Sequence, residues 1–357
     1  MREGSRRSAV RVKRVEKPTY RIDASKIKRY DQRNLIFNRV MLDSTWHGFE
    51  RSEEEAGLGN IAEAKPGYSR VDYALSEASW TVHECFSQAF GGERLPRSGG
   101  PSMMGTKWYQ SRLPVEDPEE MKRQVKKAAR LYGASLVGVA EYNRLWMQVN
   151  NRYDFAPLEM PEGTKWVVAL AFEMDELAIA TSPEAIAGAA SGIGYSRMAF
   201  TASTLAEFIR NLGYTAVAAG NNVGLSVPIA VEAGLGQMGR NGILVTPEYG
   251  PRVRLAKIFT DLPLTPDKPI DFGVVRFCRT CKRCAEACEV DAISKGEPTW
   301  EPACRSSSPG AKKWYVDGEK CLEYWFDNGI DCSTCISVCP YTKGRSEAHA
   351  AEFWSSH

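Results

Sequence analysis

Cysteine is nearly missing upstream of position 278: Cys85 stands alone there, and the other nine of ten fall between 278 and 339. That placement excludes a disulfide framework spread along a secreted domain and reads as metal ligation. Long apolar runs are missing too. No stretch approaches the roughly 20 residues that a membrane span needs, and no apolar segment follows the early arginines, so no signal peptide is readable. Arg6-Arg7 is followed by residues too polar to stand behind a twin-arginine signal. The chain therefore reads as soluble or peripherally membrane-associated, either cytoplasmic or the mature form of an exported precursor. No Gly-x-Gly-x-x-Gly follows a predicted strand, which removes the usual nicotinamide or flavin fingerprint. Neither sign of charge dominates: the net charge of +2 argues neither for nor against an anionic partner. One local bias stands out. Arg2, Arg6, Arg7, Arg11, Lys13, Arg14, Lys17, Arg21, Lys26, Lys28 and Arg29 crowd the N-terminus. They read as a solvated arm or as a basic strip for an acidic partner or membrane surface.

What is present is globular. Hydrophobic residues make up 43% and charged residues 25% of 357, enough to bury a sizeable core. Residues 1–115 are irregular in pattern and rich in Gly, Pro, Arg and Trp. Asp117-Pro118-Glu119-Glu120 then opens a helix, with acidic residues in its first turn and Met121, Val125, Ala128, Ala129 and Leu131 at helical spacing. Strands are expected at 134–140, 165–172 and 214–219, and a short helix at 228–234. A long helical pattern runs from about 183 to 212, interrupted around 191–194. Residues 242–246 and 253–260 flank a Pro/Gly turn and read as paired strands. This alternation predicts an α/β sandwich with a mixed sheet.

From Asp271 the texture changes to short turns punctuated by cysteine. The first motif is Cys278-x2-Cys281-x2-Cys284-x3-Cys288; the second is Cys321-x10-Cys332-x2-Cys335-x3-Cys339-Pro340. Two-residue spacings let successive thiolates converge on one cubane, while the cysteine after a three-residue gap ligates the partner cluster. One [4Fe–4S] cluster is thus expected on Cys278, Cys281, Cys284 and Cys339, and another on Cys288, Cys321, Cys332 and Cys335. Zinc also uses Cys-x2-Cys pairs, but eight cysteines in this interdigitated order fit two clusters better. Cys85 and Cys304 are left as plain cysteines. Some 270 residues precede the module, which points to a second, larger cofactor or substrate site. Gly234, Gly236, Gly239 and Gly242 form a glycine-rich segment; its first three glycines match Gly-x-Gly-x-x-Gly, but they follow a predicted helix where a dinucleotide fingerprint needs a strand. It is either a tight turn or a backbone surface pressed close to a flat cofactor.

Five segments carry a resemblance: Gly194-Tyr195-Ser196-Arg197-Met198, Val231-Glu232-Ala233-Gly234-Leu235-Gly236-Gln237, Thr246-Pro247-Glu248-Tyr249-Gly250-Pro251, Phe277-Cys278-Arg279-Thr280-Cys281-Lys282 and Cys321-Leu322-Glu323-Tyr324-Trp325. In this order they resemble the corrinoid-dependent respiratory reductive dehalogenases of the tetrachloroethene type, over roughly residues 115–345. The resemblance implies an N-terminal region at 1–115 that contributes to the corrinoid and substrate site. It further implies a nitroreductase-like corrinoid-binding core at 116–268, a ferredoxin-like two-[4Fe–4S] domain at 269–345 and a tail at 346–357. It implies an organohalide substrate, a chlorinated alkene by type, and an external electron donor that is quinol-linked at the membrane or ferredoxin- or flavodoxin-like. No nucleic-acid partner is expected, and peripheral membrane association and a homodimer are left open. Proteins of this kind are usually exported to the outer face of the cytoplasmic membrane.

Carried over by position, the resemblance places the proton donor at Tyr195, its neighbours at Asn221 and Arg254, and pocket-lining residues at Ser191 and Trp325. A tyrosine is a poor acid near neutrality at its ordinary pKa of ~10; a guanidinium beside it stabilises the phenolate left behind. As bare residues they also read plainly, as a half-buried aromatic, a turn residue, a strand-edge charge, a helix-kink serine and a core tryptophan. None of His47, His83, His349 and His357 sits in an Asp-x-His-x-x-Gly setting, so a corrinoid without a histidine lower ligand is expected. The rivals are an epoxyqueuosine reductase-like enzyme acting on tRNA, which would use a carboxylate acid, and a non-catalytic electron carrier, which leaves the first 270 residues without a purpose.

Overall fold

The computed structural model describes residues 12–86, 112–151 and 155–342. The expectations for the arginines up to Arg11, for His349 and His357 and for the tail at 346–357 lie outside the described residues.

At the centre is a four-stranded sheet, ordered Leu136–Glu141, Trp166–Glu173, Val253–Thr260, Ala216–Ala219. Alternation along these strands sorts their side chains into two faces. Val139, Val168, Ile258 and Ala218 lie side by side in register and point into a core shared with Pro118–Leu131 and the long helix Ala185–Asn211. Their neighbours Ala140, Val167, Phe259 and Val217 form the next row and pack on the opposite side, against Trp146, Met147 and the helix Ser226–Glu232. Helices on both faces of one sheet make the expected sandwich. The first helix starts as read: Asp117 accepts the backbone N–H groups of Glu119 and Glu120, with proline in the first turn.

Three expectations are corrected. The sheet is wholly antiparallel rather than mixed. Val253–Thr260 does not pair with the segment before its turn, because Leu244–Val245 pairs with Gln237–Met238. The reason is length. Val253–Thr260 has eight residues and a buried ladder; only the comparably long Trp166–Glu173 can satisfy one whole edge of it. Finally, the long helix runs through 191–194 without a break. Its glycines are there for close approach. A Cβ on Gly188 would lie 2.8 Å from Asp331 Oδ1, one on Gly192 1.9 Å from Ser79 Oγ, and one on Gly194 2.8 Å from Arg254 Cγ. Tight packing on three sides outweighs the roughly 1 kcal/mol that each glycine costs a helix.

The N-terminal region is more regular than its composition suggests. Helices span Ile36–Leu42, Glu54–Ala62, Arg70–Ser79 and Thr81–Phe86, the third opened by a Ser69–Asp72 capping box. Lys13–Arg14 pairs with Ile270–Asp271, and Arg21–Ile22 with Ala311–Lys312. Trp46 packs on Leu322 and Phe326, and the Tyr68 hydroxyl donates to Asn328 Oδ1 at 2.7 Å. These contacts bind the start of the chain to the cysteine-rich end.

Candidate redox site and proton-delivery corner

The thiols influence one another mostly in two sets, which meet where Cys284 acts on Cys335. Burial, together with the charges of Cys278, Cys339 and Cys281, pushes Cys284 up to about 12. Burial and the charges of Cys278 and Cys281 push Cys339 up to about 11. In the other set, burial and the charges of Cys332 and Cys288 push Cys321 up to about 12. Cys335 is raised well above the ordinary thiol range by burial and by Cys321, Cys332, Cys284 and Cys288. Without metal these thiols are neutral; binding must displace their protons. Among the described residues, no group of three or more His, Cys, Asp or Glu side chains converges closely enough for a single metal ion. A four-iron cubane sits between its thiolates and needs them further apart. Of the two remaining cysteines, Cys304 lies against Ser307 Oγ at 3.7 Å and Cys85 is exposed.

A cavity of about 580 Å³ opens beside the second set, within the size range of cofactor sites. Cys288, Cys321, Cys332 and Cys335 line one part of it, and Asn221, Arg254, Trp325, Asn241 and Gly242 line another. Four polar atoms on its wall are buried without a hydrogen-bond partner among the described residues: Tyr20 Oη, Asn241 Oδ1, Arg254 Nε and Trp325 Nε1. Buried polar groups are rarely left so, and here all four border the same space. Of the four glycines singled out in the sequence, only Gly242 borders the cavity. Gly234 and Gly236 abut backbone instead, where a Cβ would lie 2.5 Å from Lys268 O and 2.2 Å from Val245 O, and a Cβ on Gly239 would lie 2.8 Å from Asn241 Oδ1.

Tyr195, on the long helix, does not itself line this space but touches two residues that do. Asn221 Nδ2 donates to its hydroxyl at 2.6 Å. The Arg254 guanidinium lies over its ring, 5.0 Å from the centroid. Arg254 is held from behind: Nη2 donates to Ser191 Oγ at 2.6 Å and stands 4.0 Å from Asp331 Oδ2. Burial holds the Asp331 carboxyl above its ordinary range, against the pull of Arg254 and Ser191. Ser191 is fully buried and does not border the cavity; it orients the guanidinium that does. Next to Asn221 in sequence, Gly220 offers its carbonyl to Lys257, a fully buried lysine that also donates to Ser226 Oγ. Burial pushes that lysine down to about 7.

Sequence reasoning missed Trp80 and Asp331. The Trp80 ring stacks on Tyr195 at 4.7 Å with planes 25° apart, and His83 meets the same ring edge-on at 5.2 Å. Trp80 belongs to the stretch read as irregular, and no local pattern marks it. Asp331 had one usable signal, its place next to a cysteine ligand position.

The sequence matches the family described as a 4Fe-4S dicluster domain over residues 277–343. It is 37% identical to the tetrachloroethene reductive dehalogenase of Sulfurospirillum multivorans, across 81% of this chain and 64% of that protein. An epoxyqueuosine reductase of Listeria monocytogenes is a more distant match, 36% identical across 33% of this chain and 30% of its own length. Among solved structures, the catabolic reductive dehalogenase NpRdhA superposes with a TM-score of 0.72 at 25% identity, covering 95% of this chain and 45% of that one. The chain thus spans less than two thirds of the length of the dehalogenases it matches. By sequence and by fold, the chain is a relative of the reductive dehalogenases over most of its own length.

Proposed function

We propose that the chain removes halide reductively from an organohalide, a chlorinated alkene by preference. In this reading Cys278, Cys281, Cys284 and Cys339 hold one [4Fe–4S] cluster and Cys288, Cys321, Cys332 and Cys335 the other, with a corrinoid in the adjoining cavity. The observation that carries it is the cavity wall, which runs from the second thiol set to Asn221 and Arg254 beside Tyr195. A corrinoid fits this space chemically: its rim of amide side chains can pair with Tyr20 Oη, Asn241 Oδ1, Arg254 Nε and Trp325 Nε1, which otherwise stay unsatisfied. A corrinoid without a histidine lower ligand is part of the proposal, as the sequence reading has it. When bound, it supplies the low-valent cobalt that such a reduction needs, and the clusters supply single electrons.

The chain's own residues handle the proton. Tyr195 gives its hydroxyl proton to the carbon centre that loses halide. Arg254 favours that transfer because its charge stabilises the phenolate. Asn221 holds the oxygen in place from the other side, and Trp80 shields the ring face from water. Electrons come from an external carrier, ferredoxin- or flavodoxin-like or quinol-linked at the membrane. No helix of the described residues is long and apolar enough to cross a membrane; peripheral association and a homodimer remain part of the proposal. The domain limits proposed are those of the sequence reading, with the core at 116–268 and the cluster domain at 269–345. The tRNA-acting alternative calls for a carboxylate acid; the group that Asn221 and Arg254 both meet is a phenol, while the Asp331 carboxyl lies behind Arg254 and does not line the cavity.

The test is anaerobic reconstitution with iron, sulfide and cobalamin, followed by chloride release from tetrachloroethene with reduced methyl viologen. Two four-iron clusters, one cobalt and chloride release are expected. Full iron with no cobalt uptake would make the chain an electron carrier and overturn the reading.

A further inference from the structure

The glycine-rich segment carries a residue that proton delivery does not use. Arg240 is 1% exposed, the largest fully buried side chain among the described residues. Its guanidinium is spent on carbonyls of the first cysteine motif and the loop beyond it. Nε donates to Cys278 O at 3.0 Å and Cys281 O at 3.1 Å, and Nη2 to Cys278 O at 2.7 Å and Arg279 O at 3.4 Å. Nη1 donates to Ser294 O at 2.6 Å and Gly296 O at 2.9 Å. The Trp314 ring covers it at 4.7 Å. Every partner it has among the described residues is therefore neutral.

A buried ion without a counter-charge is costly, and carbonyl dipoles offset only part of that. What lies close by is the first thiol set. Two of the carbonyls that its guanidinium holds belong to ligand residues of that set, Cys278 and Cys281, so the charge is fixed against the backbone that presents those thiols. A cubane on four thiolates carries net negative charge and gains one more on reduction. Resting on the cluster assignment above, we infer that Arg240 is the buried counter-charge of the cluster on Cys278, Cys281, Cys284 and Cys339, and that it raises that cluster's reduction potential. The next residue makes the effect one-sided. Asn241 reaches the second set, donating from Nδ2 to Cys335 O at 3.3 Å, and it is neutral. One dipeptide thus touches both ligand loops and puts its charge on the first alone. Each cluster takes up one electron and no proton, so the bias is purely electrostatic, and it eases entry of electrons at the first cluster.

The test is an anaerobic redox titration with dithionite and mediators, read by electron paramagnetic resonance. It uses the reconstituted full chain, Arg240→Met and Arg240→Lys, with iron counted in each. Removing the charge should lower the equilibrium constant for reducing one cluster at least tenfold, which is 59 mV for one electron, and leave the other cluster in place. Arg240→Lys keeps the charge without the planar fork and should recover most of the shift. A Met protein with both clusters and unchanged potentials would overturn the inference. So would loss of the first cluster from both variants, which would make Arg240 a clamp for the loop. Absence of four-iron signals from the unaltered chain would instead overturn the cluster assignment and this inference with it.

Discussion

All eight thiols of the two sets come from one stretch between Cys278 and Cys339, whereas the corner around Tyr195 draws on segments far apart in sequence. Trp80 follows an N-terminal helix, Ser191 and Tyr195 lie on the long helix, Asn221 follows the strand Ala216–Ala219, Arg254 is on the central strand, and Asp331 lies among the cysteines. The thiol sets are written as local spacing, so the geometry depends on a few turns. The corner exists only when the sheet, the long helix and the N-terminal helices have packed. Damage should therefore be of two kinds: loss of a metal from an intact fold in one region, and loss of chemistry from a fully loaded protein in the other.

The largest effect belongs to the thiols. Cys284→Ala and Cys335→Ala should each cost about one cluster's worth of iron and abolish turnover with reduced viologen, because no neighbour replaces the missing thiolate. Full iron and full activity in both would show that the sets are drawn wrongly. Next comes Arg254→Lys. An ammonium cannot span Ser191 and the Tyr195 ring as the planar fork does, and chloride release should fall by roughly 10–100-fold with iron and cobalt unchanged. If metal is lost instead, Arg254 belongs to the cofactor cavity more than to the proton. Gly192→Ala comes third and tests whether packing alone sets up the corner. The added methyl would meet Ser79 Oγ and the Trp80 ring, so stability should fall by about 1–3 kcal/mol, read from the shift in denaturant midpoint. Trp80 should move off Tyr195 with it. A stable variant of normal activity would mean that the stacked ring is incidental. The smallest effect is none: Cys85→Ser and Cys304→Ser should keep full iron, since Cys85 is exposed and Cys304 faces Ser307.

The same division explains what could be read from the sequence. Cysteine spacing, the Asp117 cap and the apolar strands are short-range signals, and the sandwich followed from them. Pairing between strands is long-range, so the nearest turn points to the wrong partner for Val253–Thr260. The glycines at 188, 192 and 194 read as a helix break because glycine is a poor helix former; their purpose shows only once Asp331, Ser79 and Arg254 are seen against them. Arg240 is inconspicuous inside its glycine-rich segment for the same reason. A buried arginine looks like any other until the carbonyls around it are known. Tyr195, Asn221 and Arg254 came from a family resemblance, and nothing in their own spacing would have joined them.

The most direct measurement is anaerobic chloride release by Tyr195→Phe with its iron and cobalt verified. The ring stays, so its stacking on Trp80 and the packing of the long helix should survive; only the proton source goes. Release from tetrachloroethene should drop by about 10²–10⁴-fold in a protein that still carries both clusters and the corrinoid. Near-normal release from the fully loaded variant would contradict the account, and the proton would have to come from water or another group.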